Sequence, residues 1–480
     1  MINKRSGTRQ GGYSKVAISL VIILGSFMVR AQRPNIILVM TDDQGWGQTG
    51  YYGHPLLKTP NLDKMAKNGL RLDRFYAGAP VCSPTRASVL TGRSCVRSGV
   101  PEHGYPLRKQ EKVLPKALKE VGYVTGHFGK WHLNGMRGPG APIFEDDTHS
   151  PGEFGFDTWI TVTNFFDLDP VMSRNGKFEE FQGTSSAIIV EEALKFIENA
   201  VDRDTPFFSV IWDGSPHDPF VAREEDMKDF GHLDERSKNH YGELVAFDRS
   251  LGRLRQKLRE LGIAKNTIVW FCSDNGGLPR MKPETVGGLR GNKGTLWEGG
   301  IRVPCIIEWE GRISPGISAY PASTMDIFPT LADVLDLPRK TMGNPIDGIS
   351  LTPLFENREM KTRKKPIPFI FRGKGALVDN EYKLVATDIE EKKFQLFHLE
   401  QDKTESRDIS MAHPKKMKTL KKRFMRWNRS IQRSIDGLDY PEKEVDENQP
   451  IPHFWKDDSK YGPFLEQYGS RPEYSGAYKR

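Results

Sequence analysis

The chain is short of cysteine. Four residues in 480, Cys82, Cys95, Cys272 and Cys305, are too few for a disulfide scaffold. No C-x-x-C pair occurs, which speaks against a zinc ribbon or a thioredoxin-like site. No apolar run reaches the length of a comfortable membrane-spanning helix, and a mean hydropathy of −0.55 excludes a polytopic membrane protein. No internal repeat is visible. What is present is an ordinary globular composition: 37% hydrophobic and 10% aromatic residues supply a core, so disorder throughout is excluded. The length corresponds to two or three units, or to one large α/β domain with a smaller companion.

Residues 1–31 read as a secretory signal peptide. Lys4, Arg5, Arg9 and Lys15 precede the apolar run 16–28, and Val29-Arg30-Ala31 gives a small-x-small cleavage site. A retained anchor is the alternative. No cysteine follows the run, which disfavours a lipoprotein. The mature chain is expected to begin near Gln32, to work in the periplasm or outside the cell, and to keep no stable membrane insertion.

Beyond the leader, continuous apolar runs at 35–40, 205–212, 267–273 and 303–309 read as strands buried on both faces, as in a parallel sheet. Helices are expected from Thr59-Pro60 to Gly69, over 239–261 and over 323–335. The fold class is therefore α/β, a large and mainly parallel sheet flanked by helices, assigned to residues 32–357. Residues 358–365 form a basic linker. After it, 358–480 reads as a smaller α+β subdomain: short strands at 367–371, 376–378, 382–386 and 394–399, a helix over 414–433, and a tail from Gly437 without periodicity.

Three clusters could carry chemistry. Asp42-Asp43 follows the first strand, where open α/β sheets bind ligands; alone it reads either as a capped turn or as a pair needing a cation. Asp274-Asn275-Gly276-Gly277 follows the strand 267–273, and its hard oxygens could join Asp42 and Asp43 around Ca²⁺ or Mg²⁺, or could be only a glycine-rich turn. In V-C-S-P-T-R-A-S-V-L-T-G-R, Pro84 suits the first turn of a helix ending near Gly92. Cys82 then sits at the helix N-terminus and Arg86 one turn on, on the same face. A lone exported cysteine also reads as a disulfide partner or a small buried hydrophobe.

The core C-x-P-x-R, extended to C-S-P-T-R-A-S-V-L-T-G-R, resembles the signature of the type I, formylglycine-dependent sulfatases of the alkaline-phosphatase-like superfamily. R-P-N-I-I-L-V-M-T-D-D-Q-G-W-G, T-P-N-L-D-K-M-A-K-N-G, G-K-W-H at 129–132, S-P-H-D-P-F at 215–220, S-D-N-G-G, and G-N-K-G-T-L-W-E-G-G-I-R-V-P at 291–304 resemble further motifs of that family, in its order. L-F-H-L-E-Q-D-K-T-E resembles its C-terminal strand and turn. Thr85 stands where serine is common. The resemblance implies that a maturation enzyme oxidises Cys82 to formylglycine, whose hydrate attacks sulfur and then expels sulfate. It implies one Ca²⁺ held by Asp42, Asp43, Asp274 and Asn275, with residue 82 completing the shell. Arg86 would steady the hydrate, Lys130 and Lys293 would hold sulfate oxygens, His132 would act as base, and His217 would contact sulfate and protonate the leaving oxygen.

The expected activity is hydrolysis of sulfate esters on a carbohydrate. A phosphonate or phosphodiester hydrolase of the same superfamily is the alternative enzyme, and an inactive binder of sulfated glycans the alternative of another class. Segments 135–150, 164–182 and 451–480 are candidate subsites. His103, Arg137, Asp167, Arg174 and His240 are candidate sugar contacts, and Phe454, Trp455, Tyr461 and Phe464 are candidate stacking rings, with surface packing as their other reading. Cys95 and Cys305 could pair.

A net charge of +8 invites a nucleic-acid reading. Five cations lie in the leader, and without them the balance is +3. Nine lie in 414–433 with no acid, and without these it is −6. That helix also carries Met417, Leu420, Phe424, Trp427 and Ile431 on one stripe, so its cations are expected to face solvent, or a polyanionic glycan, and no nucleic acid is expected as a partner.

Overall fold

The computed structural model describes residues 1–3, 7, 33–138, 140–164, 166, 168–356, 360–471 and 474. The leader, apart from residues 1–3 and 7, and the expected boundary at 357/358 lie outside them. Among the described residues no helix is long and apolar enough to cross a membrane.

The strand Asn35–Thr41 is buried along its whole length. Its alternate side chains serve two cores: Ile36, Leu38 and Met40 pack on one face of the sheet, Ile37 and Val39 on the other. Helices cover both faces, which is why the run is apolar without alternation. Pro60–Asn68, Ser185–Asp202 and Glu235–Glu260 lie on the Ile37 side. Cys82–Thr91, Leu114–Lys119 and Ile327–Val334 lie on the Ile36 side.

The main sheet has ten strands, in the order Gly316–Ser318, Leu70–Leu72, Cys305–Glu308, Thr267–Ser273, Asn35–Thr41, Phe207–Trp212, Val124–Lys130, Thr158–Val162, Val171–Arg174, Lys177–Glu180. The centre is parallel, from Thr267–Ser273 through Thr158–Val162. The flanks bring antiparallel pairs, so the sheet is mixed.

Two local expectations are refined. The run 303–309 is broken by Pro304, which has no N–H for a ladder. Arg302–Val303 pairs with Phe75–Tyr76 in a three-stranded sheet, while Cys305–Glu308 joins the main sheet. Thr59 precedes the helix Pro60–Asn68 without capping it; its hydroxyl accepts from the Gly50 amide at 2.7 Å and donates to Asp63 at 3.0 Å. All four cysteines are free and buried, and Cys305 stands opposite Cys272 across two paired strands, not beside Cys95.

Ile367–Phe371, Lys374–Asp379, Tyr382–Asp388 and Lys393–His398 form an antiparallel sheet. Leu420 and Phe424 of the helix Pro414–Ile435 cover one face. The other face packs Ile367, Phe369 and Val378 against Tyr76, Val81, Leu296 and Ile301. Val81 immediately precedes Cys82. The tail after Gly437, read as without periodicity, carries regular structure among its described residues: His453–Phe454 adds in parallel to Met136–Arg137, and Gly462–Tyr468 is helical. Trp455, Tyr461 and Phe464 are core residues there, so of the four candidate stacking rings only Phe454 remains exposed.

Lys383 fixes the small sheet to the segment 291–304. Its ammonium is fully buried and lies 3.0 Å from Glu298 and 2.9 Å from Glu405. Removing it leaves two facing carboxylates out of water. Lys383→Ala is expected to cost about 3–5 kcal/mol, read as a lowered urea midpoint at unchanged slope. An unmoved midpoint would show that the triad does not hold the sheet.

Candidate active site

The parallel register carries the site. Thr41 pairs with Ser273 and Met40 with Trp212, so three chain segments leave the sheet side by side at its carboxyl edge. The Asp274 amide donates to Thr41 O at 3.1 Å, and the Asp42 amide to Ser215 O at 3.0 Å. Asp43 has φ 61°, a left-handed conformation unfavourable for a side-chain-bearing residue. Its amide donates to Asp274 Oδ1 at 3.1 Å and its Oδ1 accepts from Asn275 Nδ2 at 2.7 Å, which together hold the turn. Gly276 is required where it stands: a Cβ there would run into the Gly299 carbonyl.

The helix Cys82–Thr91 delivers Cys82 at its first turn and ends at Gly92, with φ 68°. Cys82 Sγ lies 3.4 Å from Asp42 Oδ1. Arg86, with no exposed surface, donates to Asp274 Oδ2 at 2.8 Å and to Lys130 O at 3.1 Å, and stands 3.5 Å from Asp42 Oδ2. Lys130, the last residue of its strand, donates to Asp42 Oδ2. Lys293 bridges both oxygens of Asp43 at 2.6 and 2.7 Å. His217 Nδ1 donates to Asp218 O at 2.6 Å, leaving Nε2 3.8 Å from Asp43 Oδ2. His132, again left-handed at φ 54°, is buried with neither ring nitrogen hydrogen-bonded to a described residue.

Burial and charge set the protonation states. Burial opposes ionisation of Asp42, but Lys130, then His217, Arg86 and Lys293, hold its carboxyl well below the usual range. Burial, with the charge of Asp42 added, pushes Asp274 up to about 7 despite Arg86. Burial raises Asp43 too, against Lys293. Burial and Asp42 push the Cys82 thiol far up, so as a cysteine it is neutral and a weak nucleophile. Burial, then Lys130, holds His132 well below its ordinary value, and burial, then Lys293, does so for His217. Both imidazoles are neutral at pH 7 and able to accept a proton.

Ligand atoms of Asp42, Asp43, Cys82 and Asp274 all lie within 4.8 Å of one another. Asn275 Oδ1 is buried beside them with no hydrogen-bond partner among the described residues. Three carboxylates and an orphaned amide oxygen are the donor set of a hard divalent cation, and the residues present fit one. Ionised, the three carboxylates and Arg86, Lys130 and Lys293 cancel; a divalent cation would leave a positive site for an anion.

A pocket of about 250 Å³ opens above the cluster, lined by Cys82, His132, His217 and Lys293 and, around them, by Val81, His103, Arg137, Gly138, Asn164 and Phe454. All ten proposed catalytic, anion-holding and metal residues thus converge, with Lys130 behind Asp42 rather than on the wall. Of the candidate sugar contacts, His103 and Arg137 line the pocket. Arg174 does not: it pairs with Glu179 and Glu192 at the sheet edge. Nor does His240, which is buried against Gln48 and Phe220. Asp167 lies outside the described residues. Each of the three candidate segments sends a residue to the wall: Arg137 and Gly138, Asn164, and Phe454. Asp213 was missed, although it follows a buried strand as Asp42 and Asp274 do. Burial pushes it up to about 6, and its Oδ1 accepts from the Ser215 amide at 3.0 Å, holding the turn that leads to His217.

The family profile described as Sulfatase matches residues 34–337. N-acetylgalactosamine-6-sulfatase of Canis lupus familiaris is 35% identical over 379 residues, spanning 71% of this chain and 69% of that protein. Arylsulfatase A of Homo sapiens is 31% identical over 395 residues, 74% of this chain and 73% of that one. Among solved structures, Ps i-CgsB in complex with k-i-k-neocarrahexaose superposes with a TM-score of 0.75 at 25% identity, covering 92% of this chain and 98% of that one. With the fold, the C-S-P-T-R helix and the profile in agreement over most of its length, the chain belongs to the sulfatase family, with an alkaline-phosphatase-like fold, and is a sulfuric ester hydrolase.

Proposed function

We propose that the protein removes sulfate from a sulfated carbohydrate, using formylglycine made from Cys82 and one Ca²⁺ held by Asp42, Asp43, Asp274, Asn275 and residue 82. The observation that carries this reading is the placement of position 82: it faces a pocket at a helix N-terminus, against a cation-fitting carboxylate cluster and beside Lys293, His132 and His217. The carbohydrate is supported by two relatives, one named for N-acetylgalactosamine 6-sulfate and one solved with neocarrahexaose. Export to the periplasm or beyond and a separate maturation enzyme belong to the same reading.

A divalent cation supplies charge neutralisation and polarisation of the sulfate, and a hydrated aldehyde at position 82 supplies a hydroxyl nucleophile that a neutral buried thiol cannot. The chain's own residues do the rest. Arg86, pinned by Asp274 and the Lys130 carbonyl, keeps its guanidinium under residue 82 and stabilises negative charge there. Lys293, on the pocket wall, and Lys130, which reaches the cluster from behind Asp42, are compact positive charges for sulfate oxygens. Neutral His132 takes a proton from the side chain at position 82. His217, oriented through Nδ1 by Asp218 O, presents Nε2 to the leaving oxygen; neutral at rest, it would first take a proton from water on Nε2 and then pass that proton to the departing oxygen. His103, Arg137, Asn164 and Phe454 contact the saccharide at the mouth, as a charged and aromatic rim.

Chain from a host with a formylglycine-generating system is expected to hydrolyse para-nitrophenyl sulfate and to react with a hydrazide probe at the peptide containing position 82. Cys82→Ala should lose both, by at least a thousandfold in kcat/KM, without a lower melting temperature. Activity retained in Cys82→Ala, or faster turnover of a phosphodiester or phosphonate than of sulfate, would overturn the mechanism or the substrate class.

Metal binding has its own signature. At about pH 6 Asp274 keeps a proton that the cation must displace, whereas at about pH 8 it is already ionised, so added Ca²⁺ should raise the melting temperature more at the higher pH. Asn275→Ala, which deletes the orphaned oxygen, should weaken Ca²⁺ binding about tenfold, or ~1.4 kcal/mol, by calorimetry. Equal Ca²⁺ shifts at both pH values and in both proteins would remove the ion from this cluster.

A further inference from the structure

A second concave site lies on the C-terminal sheet and its basic helix. Its volume is about 510 Å³, and it shares no lining residue with the pocket at Cys82. Four cations line it from two directions: Lys364 and Lys365 from the linker, Arg423 and Arg426 from the helix Pro414–Ile435. Trp427 is next to Arg426 and one turn beyond Arg423, so all three helix residues turn toward the groove beside the buried stripe of Leu420, Phe424 and Ile431. Leu377, Pro366 and Pro368 make an apolar floor.

The cations exceed the acid that faces them. Asp347 is the one carboxylate of the lining, and it is already engaged by Arg97 at 2.8 Å and by Trp427 Nε1 at 3.0 Å. Arg423 is partly satisfied by Asp379 at 3.1 Å, and Lys365 donates to Ile346 O. The side chains of Lys364 and Arg426 have no hydrogen bond or ion pair to a described residue. The indole of Trp427, fixed through its N–H, is part of the groove lining. A cationic rim over an apolar floor with a flat ring matches a molecule that alternates anionic groups with C–H faces, and a sulfated saccharide has that pattern.

The groove is also distant from the chemistry. The amide of Ser94, just past the C-terminal end of the helix Cys82–Thr91, donates to Asp347 at 2.8 Å, while Cys82 is at the other end. Ten helical residues separate the two by about 15 Å.

We infer that this groove is a second binding site for sulfated saccharide, which anchors a distant part of the polymer whose sulfate is removed at position 82. The inference rests on the proposal that the substrate is a sulfated carbohydrate. It requires nothing of Lys364, Arg426 or Trp427 in the hydrolytic step.

The test is affinity electrophoresis of the full chain through gels containing dextran sulfate, with neutral dextran as the blank. The double variant Lys364→Glu/Arg426→Glu should bind dextran sulfate about tenfold more weakly, and should hydrolyse para-nitrophenyl sulfate at the parent rate. Lys418→Glu/Lys422→Glu, on the same helix but outside the groove, should leave dextran sulfate binding within twofold of the parent. Unchanged binding in the first variant, equal weakening in the second, equal retardation by neutral dextran, or displacement by a DNA oligonucleotide at lower concentration than by sulfated oligosaccharide would each overturn the inference. The two readings fail separately. An enzyme that cleaves para-nitrophenyl sulfate but no sulfated polysaccharide contradicts the proposed substrate, while the gel still decides the groove.

Discussion

Three carboxylates with no access to water share one end of a parallel sheet, and everything else at that end answers their mutual repulsion. Arg86, Lys130 and Lys293 approach from a helix, a strand end and a loop, each aimed at a different acid. Brought together without them, Asp42, Asp43 and Asp274 would cost several kcal/mol apiece to ionise. With all three acids ionised the arrangement is neutral, and it becomes anion-seeking once a divalent cation joins it. Structural compensation and substrate attraction are thus the same set of charges, which is why the ion pairs are buried although burial alone does not favour them.

The scaffold concentrates precision where these charges meet. Ladder hydrogen bonds place Asp42 and Asp274, and left-handed residues at Asp43 and His132 turn two side chains out of the sheet plane. Such conformations persist only where their surroundings over-determine them. Farther out, the small sheet presses Val81 and Leu296, on either side of Cys82 and Lys293, through an apolar interface, and Lys383 ties the same loop electrostatically. The C-terminal unit thereby supports the first turn of the helix that begins at Cys82.

Much of this was legible in the residues. The runs at 35–40, 205–212 and 267–273 are strands because burial on both faces leaves no polar alternation to disguise them. The charged cluster was readable because strand ends, a Pro-initiated helix and a glycine turn are local signals that long motifs reinforce. The pocket wall was less so. Arg174 and His240 looked available in the sequence, but their partners, Glu192 and Gln48, come from distant segments. Asn164 and Phe454 reach the wall through tertiary packing that no periodicity encodes. Trp455, Tyr461 and Phe464 show the converse: an aperiodic tail with many aromatics can be a core when its partners lie three hundred residues upstream.

The short pairing of His453–Phe454 with Met136–Arg137 has a consequence for how this enzyme could diversify. The reactive end of the sheet is assembled before residue 310, whereas one rim of its opening arrives with the last thirty residues. Exchanges in that late segment would reshape the doorway and leave the interior untouched. The part of the selectivity that Phe454 carries is therefore inherited apart from the reactive residues, free to change at its own rate.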